Sequence, residues 1–145
     1  MAYISKEEVK VKNEKLKVLN KQYGVKARFS GSNSSTLLLK ITQGRIDFIG
    51  NHIAMLQVAD SLGLIYYNIE SAIAGLKNEN YIQVNNYHLS KNFAGIALEY
   101  LQKAYAIMLE GHFDKSDVQT DYFHCAWYNS IHIGAWNKGY LLVQG

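Results

Sequence analysis

Proline is absent from this chain, and cysteine occurs once, at Cys125. A single cysteine excludes an internal disulfide, so the composition points to a reduced, cytosolic setting. No apolar run approaches the ~20 residues that a membrane span requires. The opening residues, MAYISKEEVK, lack the apolar core of a signal peptide. The missing prolines carry no functional meaning of their own. Excess charge is scarce too: 15 Lys+Arg against 12 Asp+Glu leave +3, too little by itself to imply nucleic acid. What is abundant is tyrosine, 11 among 145 residues. Its large apolar ring with a polar tip suits surfaces that make contacts. The length fits one domain that buries roughly two-thirds of its unfolded surface.

Ser5, Lys6, Glu7 and Glu8 form a capping box, and a helix follows to Tyr23, where Gly24 is placed to end it in the left-handed conformation. Val9, Leu16, Leu19 and Tyr23 share one side of it. Lys6, Lys10, Lys17 and Lys21 share another, which reads as a solvated face. Residues 25–30 and 36–42 alternate apolar and polar around the turn-rich Gly31–Ser35 and predict a hairpin. Residues 45–49 read as a third short strand or a loop. Between 51 and 77 the period changes to 3.6. Met55, Val58, Leu62, Ile65, Tyr66, Ile69, Ile73 and Leu76 predict one apolar helix face, in one long helix or two broken near Gly63. Residues 81–85 alternate as a short strand. Ser90 is expected to cap a helix over 91–110, closed by Gly111. No repeat or linker divides residues 1–145, and the fold class is α+β: an antiparallel sheet with helices packed on one face, in a single domain.

The stretch YFHCAWYNSIHIG, residues 122–134, concentrates the chemistry-bearing side chains. Read as a strand, its odd positions, Phe123, Cys125, Trp127, Asn129, Ile131 and Ile133, belong to the core. The even ones, Tyr122, His124, Ala126, Tyr128, Ser130 and His132, face away from it. Cys125 is then a small buried hydrophobe, and it points opposite to His124, so the two form no dyad. His112, His124 and His132 with Asp114, Asp117 and Asp121 follow none of the short zinc spacings. His124 and His132 stand about 26 Å apart on a straight strand. No nucleophile elbow or glycine-rich phosphate loop is present. No catalytic residue, metal or cofactor is therefore expected, and an enzyme using His124 or His132 is the least favoured reading. The expected partner-binding residues lie on the outward sheet face: Lys26, Arg28, Lys40, Tyr81, Gln83, Tyr128 and His132. Basic groups interleaved with aromatics suit either phosphate neutralisation with base stacking or docking on a protein.

The run GHFDKSDVQTDYFHCAWYNSIHIGAWNKGY, residues 111–140, resembles the large polyvalent protein-associated domains of phages and plasmids. The matching positions are Gly111, Asp114, Ser116, Asp117, Thr120, Asp121, Tyr122, Phe123, Trp127, Tyr128, Ile133, Gly134 and Trp136. STLLLKITQGRIDFIGN and YIQVNNYHLSKNFAG are also similar to that family; about residues 52–79 are not, and Gly139 stands where a proline is usual. The resemblance transfers no chemistry. It implies a mobile-element protein of the bacterial cytosol that binds and disables host defence, an inhibitor of a CRISPR–Cas complex being the favoured kind. The expected partner is thus a host defence protein or ribonucleoprotein, such as a Cas subunit. It would be met by the outward sheet face, the basic first helix or the 52–79 segment, with no membrane involved. The alternative is an RNA- or single-stranded-DNA-binding module of replication or plasmid transfer.

Overall fold

The computed structural model describes residues 6–32, 36–110, 128–135 and 137–143. Helix α1, Lys6–Tyr23, ends as its sequence predicts, at Gly24 with φ +69°. The chain then turns directly into the hairpin of β1, Val25–Ser32, and β2, Thr36–Gly44. Ser5, the expected cap of α1, lies outside the described residues, as do Gly111 and everything from there to Trp127.

Of residues 45–49, the first three form the loop alternative, and Phe48 and Ile49 already belong to a helix. The Asp47 side chain accepts from the Gly50 backbone N–H at 2.9 Å, which starts α2 at Phe48. The 3.6-period segment resolves into the two-helix alternative. Helix α2, Phe48–Ser61, stops before Gly63, and α3, Ile69–Glu79, starts at an Asn68 cap. Strand β3, Ile82–Val84, leads through a short 3-10 turn into α4, Leu89–Asn92. The single helix expected over 91–110 is broken here, and Ser90 lies inside α4 rather than capping anything. Phe93 and Ala94 are extended before α5, Gly95–Leu109. Two interactions hold that break open. The Asn51 side chain donates to Ala94 O and accepts from Ala94 N, at 3.0 and 2.9 Å. The Phe93 ring meanwhile buries against Phe48 and His52.

The α+β class and the helices on one face are as the sequence predicts, and the sheet is mostly antiparallel. Its order is β1-β2-β4-β3, with β4 at Tyr128–Ile133. The outer pairs, β1 with β2 and β3 with β4, are antiparallel, but β2 and β4 run parallel in the middle. The alternation of each strand fixes which side chains face the core and is silent about the direction of a remote neighbour. A further short strand, β5, Leu141–Leu142, takes over the same edge of β2 where β4 leaves off.

Phe29, Leu37, Leu39, Ile41, Ile131 and Ile133 are fully buried and form the core face of the sheet. They meet Leu16 and Leu19 of α1 and Ala97, Tyr100, Leu101, Ala104 and Met108 of α5 in one cluster. Phe48 sits edge-to-face against Phe93, Tyr100 and Tyr140 at 6.4, 5.8 and 5.4 Å between ring centroids. Burial drives the Tyr100 and Tyr140 hydroxyls far above their ordinary pKa, so both stay protonated donors, to Asn20 Oδ1 and Ile46 O respectively.

Two polar devices on α1 complete the frame. Asn13 bonds both the N–H and the C=O of Phe29, and Asn20 donates to Ala27 O, so α1 satisfies the outer edge of β1. Lys12 falls on the apolar side of α1 and is only 3% exposed. Its ammonium donates to Ile107 O, Met108 O and Glu110 O at 2.8, 3.1 and 2.6 Å. These carbonyls at the end of α5 carry the negative end of its dipole, and Ile107 O also accepts from the Glu110 N–H at 3.2 Å.

Candidate functional site: the open sheet face

The face of the sheet away from the core is built by the alternate residues of the same strands. The ladder sets Arg28 opposite Lys40, Lys40 opposite His132, and His132 opposite Gln83. One side chain from each of β1, β2, β4 and β3 therefore forms a row across the sheet, about 14 Å long at ordinary strand spacing. Ser30, Leu38 and Ser130 form the next row. Lys26 stands beyond Arg28 on β1 and is exposed.

Of the seven residues the sequence singles out, the structure brings Arg28, Lys40, Gln83 and His132 into that row. Lys26 and Tyr81 lie at its margins. Tyr81 precedes β3 rather than opening it, and its ring stands edge-on to the His132 imidazole at 5.9 Å. Tyr128 begins β4 opposite Thr36, and its side chain lies outside the described part of the structure. So do His112, Asp114, Asp117, Asp121, His124 and Cys125, with the 122–127 part of the strand expected over 122–134. Among the described residues no three His, Cys, Asp or Glu side chains gather as a metal group, and no helix is long and apolar enough to cross a membrane.

The electrostatics of the row are one-sided. None of the five strands described contains an Asp or Glu. Arg28 and Lys40 are like charges placed directly opposite each other, an arrangement that costs stability. His132 Nε2 lies 3.0 Å from Ser130 Oγ. Partial burial first, and the Lys40 ammonium second, hold its pKa below 6.5. A neutral imidazole beside a cation, with a serine and an amide for company, is equipped to hydrogen-bond a ligand.

That lowered pKa has a testable sign. The unfolded chain takes up the His132 proton before the folded one does, so stability is full above about pH 6.5 and falls as acid titrates through the lower folded value. His132→Gln is expected to remove this part of the acid-side loss. Urea titrations of both proteins at pH 7.5 and pH 5 check it, since the gap between them should narrow or reverse on acidification.

The reading from sequence missed Lys138 and Asn137, which a tight turn brings to the margin of the same face. Ala135 N donates to Lys138 O and Lys138 N to Ala135 O, at 2.9 and 3.1 Å. The bracketing glycines, Gly134 and Gly139, were the available signal for that turn. The segment over 52–79 also differs from its expected packing. Val58, Leu62, Leu64, Tyr66 and Tyr67 are more than half exposed, and α3 contributes no fully buried residue.

The fold and face together define an α+β protein with an open, basic sheet surface whose described strands carry no carboxylate. No family model, no curated protein and no solved structure matches the chain.

Proposed function

We propose that this chain is a non-catalytic binding protein of a mobile genetic element. It inhibits a host defence ribonucleoprotein of the CRISPR–Cas kind by laying its open sheet face over an anionic surface of a protein subunit. The observation that carries the reading is the row Arg28, Lys40, His132, Gln83. Two like charges sit directly opposite each other with no carboxylate in any described strand, a cost to the fold that an anionic partner surface offsets. The mobile-element context rests on the resemblance of residues 111–140 and their companion segments. It places the protein in the bacterial cytoplasm and requires no enzyme activity, metal or cofactor.

The test is capture of tagged protein from bacteria carrying an active CRISPR–Cas system, with and without nuclease. A Cas subunit retained after nuclease supports the reading. Partners that vanish with the nucleic acid would instead make this a nucleic-acid-binding module. Lys40→Gln separates fold from function. It relieves the repulsion by Arg28, so it is expected to leave stability unchanged or raise it by roughly 0.5 kcal/mol. The same change should weaken partner binding about tenfold, as loss of a charge-assisted contact does. Equal affinity of the folded variant would remove the sheet face from consideration.

A further inference from the structure

We infer that the end of this face carries a specific phosphate-binding groove, built by Lys26, Lys40 and Lys138. The inference rests on the basic-face reading and gives it a chemical ligand: a phosphate group, carried by a single nucleic-acid strand or by a free nucleotide.

The groove has a volume of about 450 Å³, within the range of small-ligand sites. Its floor is the end of the β1–β2 hairpin, with Lys26, Lys40, Thr42 and Gln43. Its wall is the turn at 135–138, with Asn137 and Lys138. A bulge shapes the floor. Lys26 pairs with Gln43 and Ala27 with Ile41, which leaves Thr42 as the extra residue, its hydroxyl donating to Lys26 O at 3.2 Å. Bulges of this kind re-aim side chains beside binding sites.

Three lysines from three separate chain segments thus line one concavity. No carboxylate among the described residues lines it. The ion pairs among those residues, Lys15 with Glu110 and Lys103 with Glu99, lie elsewhere. The Gln43 and Asn137 amides add neutral donors, so the lining offers cations and hydrogen-bond donors together. That is the complement of a phosphate, whose oxygens only accept. A second basic hollow, with Lys17 and Arg28, adjoins it through the shared Lys26. The positive surface therefore continues past one phosphate, as a chain of phosphodiesters requires.

The experiment titrates the full chain, at about 50 mM salt, with sodium pyrophosphate and separately with a short oligothymidylate, following binding by NMR or fluorescence. Both probes are expected to bind saturably. Lys138→Gln should weaken each about tenfold, while Lys91→Gln, on α4, leaves both unchanged. With three phosphates neutralised, log affinity for the oligonucleotide should fall against log salt with a slope of about −2. Pyrophosphate binding without oligonucleotide binding supports the groove and assigns it to a small phosphorylated molecule. Failure of both probes, or equal weakening by Lys91→Gln, overturns it. The two readings fail separately. A nuclease-resistant partner captured by a protein that binds neither probe keeps the docking face and removes the groove. Phosphate binding with no captured partner does the reverse.

Discussion

Lys12→Met is expected to cost the fold about 3 kcal/mol, read as a lower urea midpoint at unchanged slope. Methionine keeps the length and apolar bulk of the lysine stem, so packing against Leu16 and Met108 is largely preserved. What disappears is the donor shared by Ile107 O, Met108 O and Glu110 O. Hydrogen bonds to a charged group contribute roughly 1.5–3 kcal/mol each, but three of them do not sum here. Desolvation outweighs the neighbouring Glu110 and Glu8 and holds the Lys12 pKa below 10.5. The ammonium therefore gives back part of what its contacts contribute. The expected loss lies nearer one such bond than three. Lys12→Ala adds a cavity and should cost more; a methionine variant as stable as the parent would show that the clamp contributes nothing net.

Gly134→Ala is expected to be at least as damaging, at about 3–4 kcal/mol or outright failure to fold. Gly134 has φ +76°, where a side chain costs roughly 1–2 kcal/mol. Steric contact adds the greater part of the damage. A Cβ there would stand 2.5 Å from Asn80 O and 2.6 Å from Tyr140 N, backbone atoms joined to each other by a 2.7 Å hydrogen bond. Neither can swing aside as a side-chain tip would. The disruption falls between the end of α3, the turn at 135–138 and β5. Any protein that does fold should therefore lose the wall of the phosphate groove as well as stability. Gly75→Ala provides the contrast. It lies within α3 with nothing within 4 Å of its added Cβ, and is expected to gain roughly 0.5–1 kcal/mol from helix propensity alone.

The row across the open face was legible because a strand's side-chain period is local. Arg28, Lys40, Gln83 and His132 each alternate with apolar neighbours, and that alone sets the face they occupy. That they stand in register depends on the β2–β4 ladder, which no local pattern encodes. Lys12 was legible in principle, since it lies between Val9 and Leu16 on the apolar stripe of α1. A lysine is almost never buried without partners, however, and its partners are carbonyls 95 to 98 residues further along the chain. The apolar repeat from Met55 to Leu76 misled for a related reason. Periodicity tells which residues share a helix face and not whether anything covers it, and Leu62 and Tyr66 stand 68% and 94% exposed. Asp47 and Asn51 redirected the chain at two points through side-chain bonds to backbone, at 45–49 and at 93–94. Composition alone does not locate such competition.

The parallel pairing of β2 with β4 also sets the timing of assembly on the ribosome. Helix α1 and the β1–β2 hairpin emerge first and can cover one another, because Asn13 and Asn20 reach the outer edge of β1. The other edge of β2 has no partner until Tyr128–Ile133 is synthesised, long after the hairpin. Until then Leu37, Leu39 and Ile41 belong to a strand with one open edge, the arrangement that recruits strands from other chains. A nascent chain stalled before Tyr128 is left in that state, and the sheet closes only once β4 has been made.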